Sequence, residues 1–258
     1  MARLPRLPKL SDFSTSCYLS IIPSQNKNSA VINALILLHG IGDSEVPFKN
    51  FAESMALPAT VGISLRAPHP IPPFLTGSDT PGFRWSDDLL FDEPRNCLDG
   101  DAGFSCAIKL LEEIVMVLLH QCGFKERDIW FLGFGQGAMA ALGLITKMER
   151  DGKASPDGFG GVVAIGAGLP KESLTWIPTE VSEKLKTPVL LCGGSNQTQV
   201  TRNTISCLKD RFGNFLYVKW EKQGDGMPRN REEMLPIMKF FAQRMRSWAG
   251  VPDGAIEL

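Results

Sequence analysis

A chain of 258 residues, 43% hydrophobic and 21% charged, is long enough to bury one sizeable α/β core. Its net charge of -1 argues against nucleic-acid binding, and no apolar run reaches the length of a membrane span, so no transmembrane segment is expected. Six cysteines without C-x-x-C or zinc-finger spacing read as reduced thiols of a cytoplasmic or nuclear protein, not as a disulfide framework.

Met1 to Asp12 carries Arg3, Arg6 and Lys9 among prolines and leucines. No apolar segment follows, so a flexible basic tail is expected and a secretory signal is not. One domain is placed at 13–250, with a C-terminal tail at 251–258. Cys17 to Pro23 reads as a short strand. Val31 to Leu38 is a continuous β-branched and leucine run, as a strand covered on both faces requires. It ends in His39-Gly40-Ile41-Gly42-Asp43, a tight loop whose backbone amides can point outward. Phe48 to Met55 has helical spacing, and Val61 to Leu65 reads as a strand.

Proline density from Arg66 to Pro73 predicts irregular structure. Thr76 to Asp92 reads as a loop with Phe83, Trp85, Leu89, Leu90 and Phe91 among acids. Such a loop covers either a binding groove or a sheet edge. Asp101 is suited to cap a helix over Ala102 to His120, where Phe104, Ile108, Leu111, Val115 and Leu118 recur at three- and four-residue steps.

Asp128 to Leu132 reads as a buried strand and Ala138 to Met148 as a helix. Between them stands Gly133-Phe134-Gly135-Gln136-Gly137. Strand, glycine-dense turn and helix make the context of a nucleophile elbow, G-x-S-x-G, but the middle residue is Gly135. Further strands are predicted at Gly160 to Ile165, Pro188 to Cys192 and Phe215 to Trp220, with a helix at Val200 to Phe212. A last helix carries Met234, Met238, Phe241, Met245 and Trp248, and Pro236 places its start close to that proline. Alternating strands and helices predict a mostly parallel sheet with helices on both faces. Ligands bind at the carboxyl ends of such strands.

The chain resembles the phospholipase/carboxylesterase family of α/β-hydrolases, which includes the acyl-protein thioesterases. Leu38-His39-Gly40-Ile41-Gly42-Asp43 is similar to the family's L-H-G-L-G-D loop, and Arg66-Ala67-Pro68 and Arg84-Trp85 to two further segments. Gly133 to Gly137 is similar to G-F-S-Q-G. The resemblance implies an α/β-hydrolase fold and a Ser-Asp-His triad. Its serine falls on Gly135, its aspartate on Gln197 and its histidine on Met227. Serine hydrolysis needs an oxygen nucleophile, an imidazole and an orienting carboxylate. A pseudoenzyme, a binding or scaffold protein, is therefore expected. The alternatives are an ester or thioester hydrolase with a rearranged site, through a Cys192–His39 or Ser195–Asp225 pair, and a non-catalytic acyl or carboxylate binder. By analogy the backbone N–H groups of Ile41 and Gln136 form an oxyanion hole. Phe83, Trp85, Leu89 and Leu90 are candidates to cover an acyl groove, which Met227 is expected to fill. No metal or cofactor is implied; the expected partner is an unidentified protein or an acyl or carboxylate ligand.

Overall fold

A computed structural model describes residues 4–25, 30–77, 79–93, 97–176 and 183–247. The strands are β1 (Leu19–Ile22), β2 (Asn33–Leu38), β3 (Thr60–Leu65), β4 (His69–Ile71), β5 (Gly82–Arg84), β6 (Phe91–Asp92), β7 (Cys97–Leu98), β8 (Ile129–Phe134), β9 (Gly161–Ile165), β10 (Val189–Gly193) and β11 (Phe215–Lys219). The helices are α1 (Glu45–Met55), α2 (Pro73–Thr76), α3 (Ser105–Met116), α4 (Gln136–Arg150), α5 (Lys171–Leu174), α6 (Arg202–Arg211) and α7 (Arg231–Arg244).

Seven strands form one sheet in the order β1-β3-β2-β8-β9-β10-β11. All neighbours pair in parallel except β1, which runs antiparallel to β3. The expected mostly parallel sheet is thus present. Alternation within each strand feeds two cores. Ala34, Ile36 and Leu38 of β2 join Ile108, Leu111, Leu142 and Ile145 on one face. Leu35 and Leu37 join Phe48, Ile237, Phe240 and Phe241 on the other. Burial on both faces explains the uninterrupted apolar runs.

From β2 the chain moves to β3 on one side and later returns to β8 on the other. This reversal opens a crevice at the strand ends. Leu38 is level with Gly133, so the loop after β2 and the turn after β8 leave the sheet side by side.

Three local expectations are corrected. The proline-rich segment is not wholly irregular: His69–Ile71 pairs antiparallel with Gly82–Arg84, a short two-stranded edge that tolerates Pro70. Asp101 does not cap α3. Its carboxylate accepts the Lys171 N–H at 3.0 Å, whereas Asp87 accepts those of Ser105 and Cys106 at 2.7 and 2.9 Å. Beyond Met116 the chain continues as a π turn, Val117–Gln121. Finally, α7 does not begin at Pro236, which lies inside it; Asn230 caps the start by accepting the Glu233 N–H at 2.9 Å. Met245 follows the helix, and Trp248 lies outside the described residues.

The segment expected as a flexible basic tail carries defined contacts from Arg6 onward. Arg6 N donates to Cys122 O at 2.9 Å, and its guanidinium pairs with Asp12 at 2.7 Å.

Arg66 joins the first turn of α1 to the loops. Its guanidinium lies over the rings of Tyr18 and Phe83 and donates to both oxygens of Glu45 at 2.7 and 2.6 Å. Burial raises the Glu45 pKa, but the Arg66 bonds outweigh it and hold the carboxyl below its ordinary value. A depressed folded-state pKa contributes stability that is present above the ordinary value and lost as pH falls through the folded one. Glu45→Gln is expected to cost about 2 kcal/mol at neutral pH. Chemical denaturation at a series of pH values should show a shallower acid loss in the variant than in the wild type; equal acid slopes would refute the assignment.

Candidate functional site

The turn between β8 and α4 is dictated by close packing. A Cβ on Gly133 would lie 2.5 Å from Ala138 N, and one on Gly137 2.3 Å from Leu38 O. Neither position admits a side chain. Between them Gly135 adopts φ 52 and ψ -120, the strained conformation of an elbow residue. A Cβ there would meet only Gly40 Cα, at 4.0 Å. The elbow is intact, and the place for a side chain at its apex is open.

Gln136 begins α4 and is buried. Its Oε1 accepts the Trp85 N–H at 3.0 Å, and its Nε2 donates to Ser86 Oγ and Gly100 O at 3.0 and 3.1 Å. Trp85 is fully buried and donates its indole N–H to His39 O at 2.8 Å. His39 is equally buried; Nε2 accepts the Ala67 N–H at 3.0 Å, and Nδ1 lies 2.7 Å from Gly40 O. Burial pushes its pKa down, so the ring is neutral and braces the loop. Gly42 N donates to Phe83 O, and Phe83 N to Asp43 O, fastening that loop to β5.

A pocket of about 550 Å³ opens at this point. Ile41, Gly135 and Gln136 form its floor, and Met139, Leu169 and Leu174 contribute apolar wall. Asp99, Asp101, Lys171, Gln199, Asn203, Thr204 and Cys207 line the remainder. Asp99 is engaged with the Asp101 N–H, and Asp101 with that of Lys171. Burial raises the pKa of Asp101 and of Cys207. The pocket is not filled by Met227, which packs with the core formed by Trp220, Ile237 and Phe241 on the α1/α7 face. None of the four candidates for groove cover is among the lining residues: Trp85 is core, Phe83 stacks on Arg66, and Leu89 and Leu90 are exposed, Leu90 O accepting the N–H of Asp99 at the pocket wall. No residue type in α5 or α6 marked these segments as pocket wall; they reach it through the order of β9 and β10 in the sheet.

Residues 18–245 match the family described as phospholipase/carboxylesterase. The chain belongs to this family. An uncharacterised hydrolase of Schizosaccharomyces pombe is 36% identical over 177 residues, 66% of this chain and 68% of that protein. An uncharacterised hydrolase of Mycosarcoma maydis is 31% identical over 138 residues, 52% of this chain and 48% of its own length. Zea mays acyl-protein thioesterase 2 shares the fold with a TM-score of 0.62 at 20% identity, over 88% of this chain and 98% of its own. Esterase PE8 does so with a TM-score of 0.66 at 22% identity, over 89% and 99%. The sheet described above is therefore an α/β-hydrolase fold.

Of the positions that the family resemblance singles out, Gly135 lines the pocket. Gln197 is exposed, has φ 51, and accepts from Gln223 Nε2 at 3.0 Å. Neither substitute pair is formed. Cys192 in β10 is separated from β2 and His39 by two strands, about 14 Å at ordinary strand spacing. Burial pushes its thiol up to about 12. Ser195 Oγ donates to the carbonyls of Glu221 and Lys222, not to Asp225. Asp225 reaches from the loop after β11 into the loop after β10. It accepts from Gly194 N at 3.0 Å, Thr198 Oγ1 at 2.6 Å and Gln199 N at 2.7 Å. The sequence offered no sign of this brace.

The glycine contacts predict an order of sensitivity. Gly137→Ala is expected to cost about 3 kcal/mol or more, because backbone must move. Gly135→Ala is expected to cost only about 1–2 kcal/mol, from its dihedrals alone. Urea denaturation of both variants measures the difference, and the reverse order would contradict the packing account.

Proposed function

We propose that the chain is a non-catalytic family member that holds a carboxylate- or acyl-bearing ligand, free or carried by a protein partner, at the elbow. The supporting observation is the open pocket beside a residue that offers no nucleophile. Ile41 and Gln136 line the pocket, and on this reading their backbone N–H groups are the donors; Gln136 begins a helix of 15 residues whose positive dipole end favours an anion. Ile41, Met139, Leu169 and Leu174 suit an acyl chain. Hydrolysis on this reading has no oxygen at residue 135 to form an acyl-enzyme, and the nearby His39 imidazole is engaged at both nitrogens, with Gly40 O and the Ala67 N–H. Backbone stabilisation alone leaves roughly 10³–10⁴ over water, judged from a triad-less protease.

Fatty acids of graded length are expected to raise the melting temperature. At about a hundred times Kd the stabilisation is about 2.7 kcal/mol, roughly 5–10 °C for a chain of this size. Met139→Trp, which fills the pocket, should abolish the rise. Neither the wild type nor Gly135→Ser should be labelled by a fluorophosphonate probe, and Gly135→Ser should be destabilised by about 1–3 kcal/mol. Turnover of p-nitrophenyl or thioester substrates by either protein, above a heat-killed control, would replace this reading with that of a rearranged hydrolase.

A further inference from the structure

A cluster of ligating side chains lies outside the pocket, on the proline-rich hairpin. His69 is in β4, Asp87 follows β5, and Cys106 is in the first turn of α3. A ring nitrogen of His69, a carboxylate oxygen of Asp87 and the Sγ of Cys106 all lie within 4.8 Å of one another. Nε2 of His69 is buried without a hydrogen-bond partner. A buried polar atom left unpaired is uncommon and signals a missing partner. Cys106 is exposed, which gives an ion a way in.

We propose that His69, Asp87 and Cys106 are three ligands of a zinc site that ties the β4–β5 hairpin to α3. The donor set of nitrogen, oxygen and sulfur is the one zinc takes, whereas calcium and magnesium are held by oxygen. Asp87 already receives the N–H groups of Ser105 and Cys106. A carboxylate has about four acceptor sites, so it can cap the helix and bind an ion together. Binding converts the Cys106 thiol to a zinc thiolate and releases its proton to solvent. A thiolate and a carboxylate this close repel each other unless a cation lies between them. Arg84 supplies one positive charge nearby, but its guanidinium is directed at Ser86 O. Thiolate, carboxylate and guanidinium leave one net negative charge for the ion to meet. Three protein ligands leave the fourth tetrahedral position to water. Trp85 and Ser86, which Gln136 holds, lie in the chain between His69 and Cys106. The ion would therefore stiffen the same hairpin that braces the pocket floor.

Cobalt(II), a spectroscopic stand-in for zinc, tests the site in the full chain after chelator treatment. One equivalent is expected to give a thiolate-to-cobalt charge-transfer band in the near ultraviolet, and zinc should displace it. Cys106→Ser and Cys106→Ala should each abolish the band while circular dichroism stays native. His69→Asn should weaken cobalt binding about tenfold or more. Zinc should raise the melting temperature of the wild type and not of Cys106→Ser. The absence of the band in the wild type, or a band undiminished in both Cys106 variants, would overturn the proposal.

Discussion

The contact on which the site depends is the approach of Gly137 to the carbonyls of Leu38 and His39. A Cβ on Gly137 would lie 2.3 Å from the first and 2.5 Å from the second. β2 and β8 run parallel and in register up to Leu38 and Gly133, and α4 must start directly above their ends. The chain therefore reverses within Gly133 to Gly137, and residue 135 is thrown into φ 52. Packing of a helix on two strands imposes this conformation, not chemistry. A side chain at 135 bears strain without contributing contacts. Glycine at 135 relieves that strain, whereas glycine at 133 and 137 is required by the close approach of backbone.

The same turn launches Gln136, which makes the surroundings of the pocket one connected unit. Its side-chain amide bonds to the backbone of Trp85 and Gly100 and to Ser86 Oγ. Trp85 in turn holds His39, and His39 holds Ala67. Every link joins segments far apart in sequence, and all but the part-buried bond to Gly100 O are buried, where a bond left unmade costs about 1–3 kcal/mol. The side chains of Gln136, Trp85 and His39 are buried and satisfy one another and the neighbouring backbone. The crevice at the sheet reversal is kept open by this frame, independently of any catalytic side chain.

Legibility in the sequence followed the range of the physical cause. Leu35 to Leu38 and Ile129 to Leu132 could be read as buried strands because burial on both faces demands apolar residues throughout. The elbow could be read because a sub-van der Waals approach admits only glycine, whatever the neighbours. Resemblance to a known family singled out Gly135, Gln197 and Met227, and of these Gly135 lines the pocket. Hidden features were those decided by a partner distant in the chain. The cap of α3 comes from Asp87 rather than the nearer Asp101. β4 forms despite Pro70 because β5 supplies the pairing. α7 runs through Pro236 because Asn230 sets its start. Leu169, Leu174 and Thr204 meet Ile41 only through the order of β8, β9 and β10, which no local pattern states.

The loops after β10 and β11 add a different kind of argument. In a triad hydrolase these loops present an acid and a base to one another. Here they are bound to each other by groups whose capacity is already committed. The carboxylate of Asp225 takes three donors, all from the loop after β10. Lys222 is half-buried and donates to Gly226 O, Met227 O and the Glu233 carboxylate, at 2.8, 2.8 and 2.9 Å. Burial works against ionised Glu233, but the Lys222 and Arg229 N–H bonds outweigh it and lower its pKa. Three bonds from one ammonium group thus hold the loop to the start of α7. A proton relay needs an acceptor free to change partners as charge develops. Asp225 can release its donors only by undoing the brace between the two loops. The charged groups of this region are thus committed to stability, while Ile41 and Gln136 line the open pocket. That division is the one the proposed ligand-holding role requires.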